Sequence, residues 1–382
     1  MTDPKDNASA EVSVTVIGAG IGGVACAAIL HRAGFTVDLY DQALAFGEVG
    51  GTITIDSFSL GVLQSWGLAD GVRQYASDCS SIELRKMSGE FVRHSKFPGL
   101  SDLGIDVEGR EGYRELFGIQ RSDLHAELLK HIPAERTHTG MRLSHVVDRG
   151  DRAEAHFDSG EVVISSALVG ADGIRSTVRR LFSDVKAKPA DATICRGIVP
   201  VNVLPPGWPN DRMRRWEHVR PDGSSTNALF APTRGGGHVG VDTSLYQGDL
   251  LEDLGDAPVP VERILATYPA DTDPVVLNAM RIGMVNTRAY RLFDLPPIDE
   301  WSGDSVTLLG DAAHAMRPLL GQGANQAIQD ADELARCLSR QENVTAALRA
   351  YETVRKPFTQ ALARAARNVS PEYNRHLTGT TI

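Results

Sequence analysis

Residues 12–41, VSVTVIGAGIGGVACAAILHRAGFTVDLYD, leave the chain few folds to choose from. Val12 to Ile17 is a β-branched run of the kind that forms a strand buried on both faces. Gly18, Ala19, Gly20, Ile21, Gly22 and Gly23 follow, then an Ala-rich helix that stops at Gly34, then a second strand from Thr36 to Asp41. Gly18, Gly20 and Gly23 satisfy G-x-G-x-x-G in the strand–turn–helix context that gives the pattern meaning. Gly18 permits the tight turn, Gly20 lets backbone approach a pyrophosphate, and Gly23 lets the helix pack on the sheet. The helix N-terminus offers unpaired N–H groups and a positive dipole. Asp41 stands where an acid grips a ribose 2′-hydroxyl and repels a 2′-phosphate. The bound dinucleotide is therefore expected to be FAD or NAD rather than NADP.

With 382 residues the chain exceeds one ordinary core and implies two domains or a large composite. The texture predicts a discontinuous α/β body over 10–75, 104–185 and 295–382. An antiparallel-sheet body is predicted over 76–103 and 186–294. Within the first body, RSDLHAELLKHI reads as a helix begun at Ser122, and Met141 to Glu161 as a hairpin. From about 190 to 290, alternating apolar and polar residues with Pro and Gly punctuation predict strands. After Trp301 the strand-then-helix texture returns, with long helices over Gln322–Ser339 and Thr345–Asn368.

Composition removes several functions. Asp and Glu total 49 against 39 Lys and Arg, a net charge of −10, and a nucleic-acid binder carries a basic face instead. The short basic run Arg212, Arg214 and Arg215 reads as solvated surface, or as an attractor for an anionic ligand. Four scattered cysteines without C-x-x-C argue against a disulfide scaffold or a metal site and fit the cytoplasm. The polar, acidic first ten residues do not resemble a signal peptide. The apolar stretch Val12 to Leu30 carries a glycine fingerprint and lacks interfacial anchors, so a membrane span is not expected.

Two further motifs bear on chemistry. In GADGIRSTVRRLF, Asp172 and Gly173 sit where a buried strand gives way to a helix beginning at Ser176-Thr177, and an ordinary turn with a helix cap would look the same. In VTLLGDAAHAMRPLLGQGANQAIQDA, Gly310 and Asp311 end a buried strand, the end at which open α/β sheets bind ligands. A carboxylate there accepts hydrogen bonds from a sugar or ribityl chain. Ala312, Ala313 and Ala315 leave room for a large flat group, and Gly321, Gly323 and Ala324 let backbone approach it. The helix N-terminus that follows would stabilise negative charge on a ring such as a reduced flavin.

Taken together, these residues resemble the single-component FAD-dependent aromatic hydroxylases, the family that includes p-hydroxybenzoate, salicylate and urate hydroxylases. The match runs in order through Gly18-x-Gly20-x-x-Gly23 with Asp41, Asp172-Gly173, and Gly310-Asp311 with Pro318 and Gly321-Gln322-Gly323-x-Asn325, and covers about Val12 to Arg367. The resemblance implies an α/β (α+β composite) fold. A Rossmann-like FAD-binding domain of the glutathione-reductase type would carry an inserted antiparallel-sheet substrate domain and C-terminal helices. It implies FAD held by Asp41 and Gln42 at the adenosine end, with Thr54, Arg121 and Leu143 touching the cofactor. Asp172 and Gly173 would serve the pyrophosphate, Asp311 the ribityl chain, and Gly321 to Asn325 the pyrimidine edge. Pro318 would lie near the flavin face where oxygen reacts. NADH or NADPH, passing transiently, would reduce the flavin, O2 would add to give a C4a-hydroperoxide, and a phenol, aniline or N-heterocycle would be hydroxylated. Departures are Asp56-Ser57 where the family often has Pro-Asn, and Gln329-Asp330 where it often has Glu-Asp. A C-terminal thioredoxin-like domain is not expected, and the assembly is expected to be a monomer or homodimer.

Candidates for orienting or deprotonating the substrate are His218, His238, Arg196 and Tyr246, with His314 close to the cofactor beside Asp311. Pro318, His314 and His238 are the residues expected to take part in catalysis. Two other functions share the motifs: an FAD-dependent reductase or oxidase that inserts no oxygen, and a flavin-binding regulator without turnover. Flavin halogenases are disfavoured because the W-x-W-x-I-P signature is absent, Trp208 and Trp216 being too far apart.

Overall fold

The β-branched run and the turn after it fold as a βαβ unit. β1 (Ser13–Ile17) leads through the glycine turn into α1 (Ile21–Arg32) and back to β2 (Thr36–Tyr40), parallel to β1. Val24 to Leu30 of α1 are buried without interruption, which an alanine-rich helix pressed between a sheet and other helices requires. The computed structural model describes residues 12–46, 51–96, 115–220, 225–246 and 258–378, with only the backbone described for Asp191, Tyr246, Leu319 and 368–378.

β3 (Thr52–Asp56) enters α2 (Ser57–Ser65), which Asp56 caps by accepting from the Ser59 amide at 2.7 Å. After α3 (Asp70–Arg73) come β4 (Ser77–Asp78), β5 (Ser81–Lys86) and β6 (Phe91–Lys96), the last two forming the expected hairpin with Gly89 at φ +93°. β7 (Leu116–Gln120) pairs antiparallel with β3 and β4, then α4 (Arg121–Leu129) and β8 (Thr137–His138) follow. β9 (Leu143–Asp148), β10 (Ala153–Phe157) and β11 (Val162–Ser165) make a three-stranded meander, one strand more than the hairpin read there. β12 (Ala167–Gly170) returns to β1.

The next stretch supplies β13 (Lys188–Pro200), β14 (Met213–Val219), β15 (Ser225–Thr233) and β16 (His238–Tyr246). Two helices that the strand-like texture concealed, α5 (Val261–Leu265) and α6 (Pro274–Gly283), precede β17 (Ala289–Asp294). The chain closes with β18 (Val306–Leu308), α7 (Asp311–His314), α8 (Gly323–Arg340) and α9 (Val344–Thr378).

Two sheets organise the molecule. The parallel sheet runs β18-β12-β1-β2-β8. The larger runs β17-β13-β16-β15-β14-β5-β6, drawing its last two strands from before β7. It is not wholly antiparallel: β5 joins β14 in parallel. One apolar core lies around the parallel sheet with α1, α2 and α8, and a second between the large sheet and α5 and α6. No helix among the described residues is long and apolar enough to cross a membrane.

Candidate functional site

Ile17, Gly170 and Leu308 end three adjacent parallel strands, and the loops that leave them meet at a cavity of about 470 Å³. This is the carboxyl edge of the sheet, where α/β folds bind ligands.

The first loop is shaped by glycines that admit no side chain. A Cβ on Gly23 would stand 1.7 Å from the Gly18 carbonyl oxygen, and one on Gly18, at φ +98°, would stand 2.5 Å from the Ala171 oxygen. Gly20 is different: a Cβ there would meet only the Arg121 guanidinium, at 3.7 Å, and with Ile21 and Gly22 it lines the cavity. Ala19, Gly18 and Gly23 lie behind that surface. Asp41, just past β2, accepts from the Ala19 amide at 2.6 Å and the Ala43 amide at 2.7 Å, so it fixes the turn from the side. Asp41 and the exposed Gln42 lie outside the cavity wall, as does Leu143 at the head of β9.

In the second loop Asp172 is already bonded within the protein. Asp172 turns away from the cavity, accepting from the Ser176 hydroxyl and from the Thr177 and Val178 amides at 2.6 and 3.1 Å. It thus holds the amides that enter a short 3-10 turn, Val178–Leu181, which stands where a helix was expected. Burial raises its carboxyl above the ordinary range against those hydrogen bonds. Its neighbours Ala171 and Gly173 line the cavity instead.

The third loop carries Asp311. Gly310 adopts φ +61°, ψ −136°, a conformation that glycine tolerates, and its amide donates to Asp330 at 3.1 Å. That bend presents Asp311 to the cavity. Its side chain is open to the cavity space although protein surrounds it, and it makes no hydrogen bond among the described residues. Burial raises its carboxyl, opposed by the nearby charges of His314 and Arg121. Pro318, Gly321, Gly323 and Ala324 continue the wall. A Cβ on Gly321 would meet Thr54 Oγ1 at 2.3 Å, so Thr54, also on the wall, packs directly on the glycine turn. Gln322 and Asn325 face inward rather than into the cavity. Asn325 donates to the carbonyls of Thr54 and Gly321 at 3.0 and 2.8 Å and accepts from the Asp56 amide at 2.9 Å. Gln322 reaches Asp56 at 3.4 Å and accepts from Gln326 at 2.9 Å.

The histidines do not join them. His314 is buried and its Nε2 stands 2.6 Å from Asp330, whose other oxygen accepts from Arg355 at 2.7 Å. His238 begins β16 opposite Pro200 and Thr233. Neither lines the cavity, so the catalytic part expected of them is not carried forward. His218 borders a separate hollow of about 370 Å³ beside β5, and the Tyr246 side chain lies outside the described residues.

The large sheet closes the cavity. Ile194 and Arg196, Met213 and Arg215, Asn227 and Leu229, and Asp242 and Ser244 all line it, each pair two residues apart and so on one face. The alternate residues Cys195, Ala228, Phe230 and Val241 enter the second core with Met280. Across the strands Arg196 pairs with Asp242, Asp242 with Leu229, and Leu229 with Arg215. Arg196 Nε lies 3.8 Å from Asp242, and Arg215 is bound to Glu217 at 2.8 Å. Burial pushes the Asp242 carboxyl up to about 6, with Arg196 pulling against it. Of this polar face Arg196 stood out in the sequence, and Arg215 as part of the basic run read as solvated surface or an attractor for an anionic ligand; the alternation of polar with core residues was the signal for the rest. Among the described residues no cluster of His, Cys, Asp or Glu could hold a metal, and all four cysteines are free and buried.

Fold and cavity together define a dinucleotide-binding α/β protein whose ligand edge is walled by a second, polar-faced sheet. The chain belongs to the FAD binding domain family, whose profile matches residues 11–366. It is 30% identical over 370 residues to 3-amino-4-hydroxybenzoate 2-monooxygenase of Streptomyces cremeus, covering 95% of this chain and 88% of that protein. It is 28% identical to 6-hydroxynicotinate 3-monooxygenase of Bordetella bronchiseptica, covering 92% and 90%. In three dimensions it resembles Klebsiella pneumoniae HpxO complexed with FAD and uric acid, with a TM-score of 0.79 at 22% identity, covering 96% of this chain and 91% of that one.

Proposed function

We propose that the protein is an FAD-dependent monooxygenase that takes electrons from NADH or NADPH and, with O2, hydroxylates a small electron-rich aromatic or N-heteroaromatic compound. One observation carries this reading. A single cavity is lined on one side by Gly20, Arg121, Asp311 and Gly323, and on the other by the polar face of the large sheet. A dinucleotide edge and a substrate wall thus share one space. The named relatives, which act on an aminohydroxybenzoate and a hydroxynicotinate, support the substrate class.

The residues present fit FAD. Gly20 leaves backbone open where a diphosphate would approach, at the start of a helix that lacks a side-chain cap. Arg121, beside Gly20, supplies a positive charge to the same group. Asp311, open to the cavity with no hydrogen bond among the described residues, is an acceptor for ribityl hydroxyls. Gly323 and Ala324, at the start of α8, set N–H groups against a flat ring. Asp41 holds the turn that binds the adenosine side. Bound FAD would supply the electron transfer and oxygen activation that side chains lack. The sheet face would orient the ring and cover it on that side.

The test is direct. The purified protein should be yellow, release FAD on denaturation, and consume NADH or NADPH faster with a hydroxylated aromatic acid, with oxygen from O2 appearing in the product by mass spectrometry. Asp311→Ala should weaken FAD by about tenfold or more, the worth of one hydrogen bond to a charged group. A colourless protein that takes up no FAD on reconstitution would overturn the reading.

A further inference from the structure

We infer that Asp242 is a catalytic proton acceptor: its carboxylate takes the acidic ring proton of the bound aromatic, with the Arg196 guanidinium beside the ring anion that results. The inference rests on the reading of this cavity as the aromatic-substrate site.

Asp242 is only 8% exposed and lines the cavity. Its Oδ1 is closed to solvent and accepts no hydrogen bond among the described residues. Its Oδ2 lies 3.8 Å from Arg196 Nε, beyond hydrogen-bond distance. Buried carboxylates almost always have their lone pairs taken, because leaving them empty costs the full desolvation of the group. A buried acid at a cavity wall with no hydrogen bond is therefore built for a donor that arrives with a ligand, and Oδ2, which is not closed off as Oδ1 is, is the oxygen such a donor reaches.

The surroundings select the kind of donor. Arg196 on β13 is the cross-strand partner of Asp242, and Arg215 and Glu217 on β14 lie beyond Leu229 and Asn227 of β15. Cys195 points into the core behind, and Arg121 bounds the cavity from the loop side. Asp242 thus faces one nearby charge, Arg196, and the neutral Ser244 and Asn227 next along the sheet. When a ring O–H or N–H bond breaks, its electron pair stays on the ring atom and the proton goes to the carboxylate. The site then holds a neutral acid, a ring anion and Arg196, so its net charge is unchanged. Burial pushes Asp242 up to about 6, a useful value for a base near neutrality. An ordinary phenol, near pKa 10, would still be about four units uphill. The chemistry that matches is a ring proton already acidified, as in a hydroxylated N-heteroaromatic or a phenol bearing an electron-withdrawing group.

The experiment uses FAD-loaded protein and para-nitrophenol, whose anion absorbs in the visible, in difference spectra against pH. Wild-type protein should bind it as the anion with uptake of one proton by Asp242, so that affinity for the anion falls by about tenfold per pH unit above about pH 6. Asp242→Asn, a mimic of the protonated acid, should keep FAD and bind the anion beside Arg196 with no proton uptake and no such fall, and Asp242→Glu should restore part of the pH dependence. With the best aromatic substrate, kcat of Asp242→Asn should fall by about 100-fold and lose its acid limb, while KM changes little. An Asn variant with the wild-type pH dependence in binding and in kcat would overturn the inference and leave the monooxygenase reading standing. Should that variant lose FAD, wild-type spectra showing only neutral nitrophenol, with no acid limb in kcat, would overturn it equally. Wild-type protein that binds no FAD would instead sink the reading beneath it.

Discussion

Two buried aspartates, Asp330 and Asp242, show how one residue type serves opposite ends. Asp330 sits at 0% exposure on α8, with one oxygen taken by Arg355 at 2.7 Å and the other facing His314 Nε2 at 2.6 Å and the Gly310 amide at 3.1 Å. Burial alone would raise its carboxyl, yet His314 and Arg355 together outweigh burial and hold it at about 2. Asp242 is similarly enclosed, has one charge at 3.8 Å and no hydrogen bond among the described residues, and is pushed up to about 6. The saturated acid is a fastener: through Gly310 it fixes the bend that presents Asp311. The unsaturated acid is held ready for a ligand. Satisfaction of lone pairs, not burial, separates structure from chemistry here.

The largest effect should come from emptying the fastener. Asp330→Leu leaves Arg355 and His314 buried without their carboxylate, and should cost about 3–5 kcal/mol in denaturant unfolding. A loss under about 1 kcal/mol would mean that the network holds nothing, and the contrast with Asp242 would fail. The same acid predicts a pH effect of definite sign. Its folded carboxyl is depressed below the ordinary 3.8, so its contribution is present above that value and fades as pH falls toward about 2. The stability gap between wild type and Asp330→Asn should therefore close on acidification below about pH 4. A gap that widens instead would reverse the assignment. Gln326→Ala should cost less, about 1–3 kcal/mol, because Arg355 loses the Gln326 oxygen at 2.7 Å but keeps Asp330.

The two halves of the cavity were not equally legible in the sequence. Its loop side is written in contiguous signals: a strand, a glycine turn and a helix around Gly20, and a strand, an acid and small residues around Asp311. Its sheet side is not contiguous. Arg196, Asp242, Leu229 and Arg215 become neighbours only through strand pairing, and period-2 alternation shows that a face exists without showing what it meets. His314 is near Asp311 in sequence, and the turn of α7 sends its ring into the core against Asp330, a contact that sequence proximity does not show. The helix α6 had local signals, an Asp273 cap accepting from Val275 at 2.9 Å and Pro274 in the first turn, but Val275 and Val276 blended with the strands around them. Asp172 was open to two readings because a capping acid and a ligand-binding acid use the same residue at the same strand end.

The smallest effect discriminates most finely. In Asp242→Asn an amide replaces a carboxyl of nearly the same shape. At pH values below the ordinary 3.8 the wild-type acid is neutral in both folded and unfolded chains, and the two proteins should differ by less than about 1 kcal/mol. As pH rises through 3.8 the unfolded acid loses its proton while the folded one, raised to about 6, keeps it. The folded state then binds more protons than the unfolded, so wild-type stability must fall across that window and level off above the folded value. Asparagine has no such titration. The variant should therefore gain on the wild type between about pH 4 and 7 in the absence of substrate, measured by denaturant midpoints at each pH. A substitution that removes turnover while stabilising the resting protein is what a poised functional acid requires. If Asp242→Asn instead stays less stable than the wild type by a steady margin from about pH 4 to 7, as Asp330→Asn should, the two acids are the same kind of group.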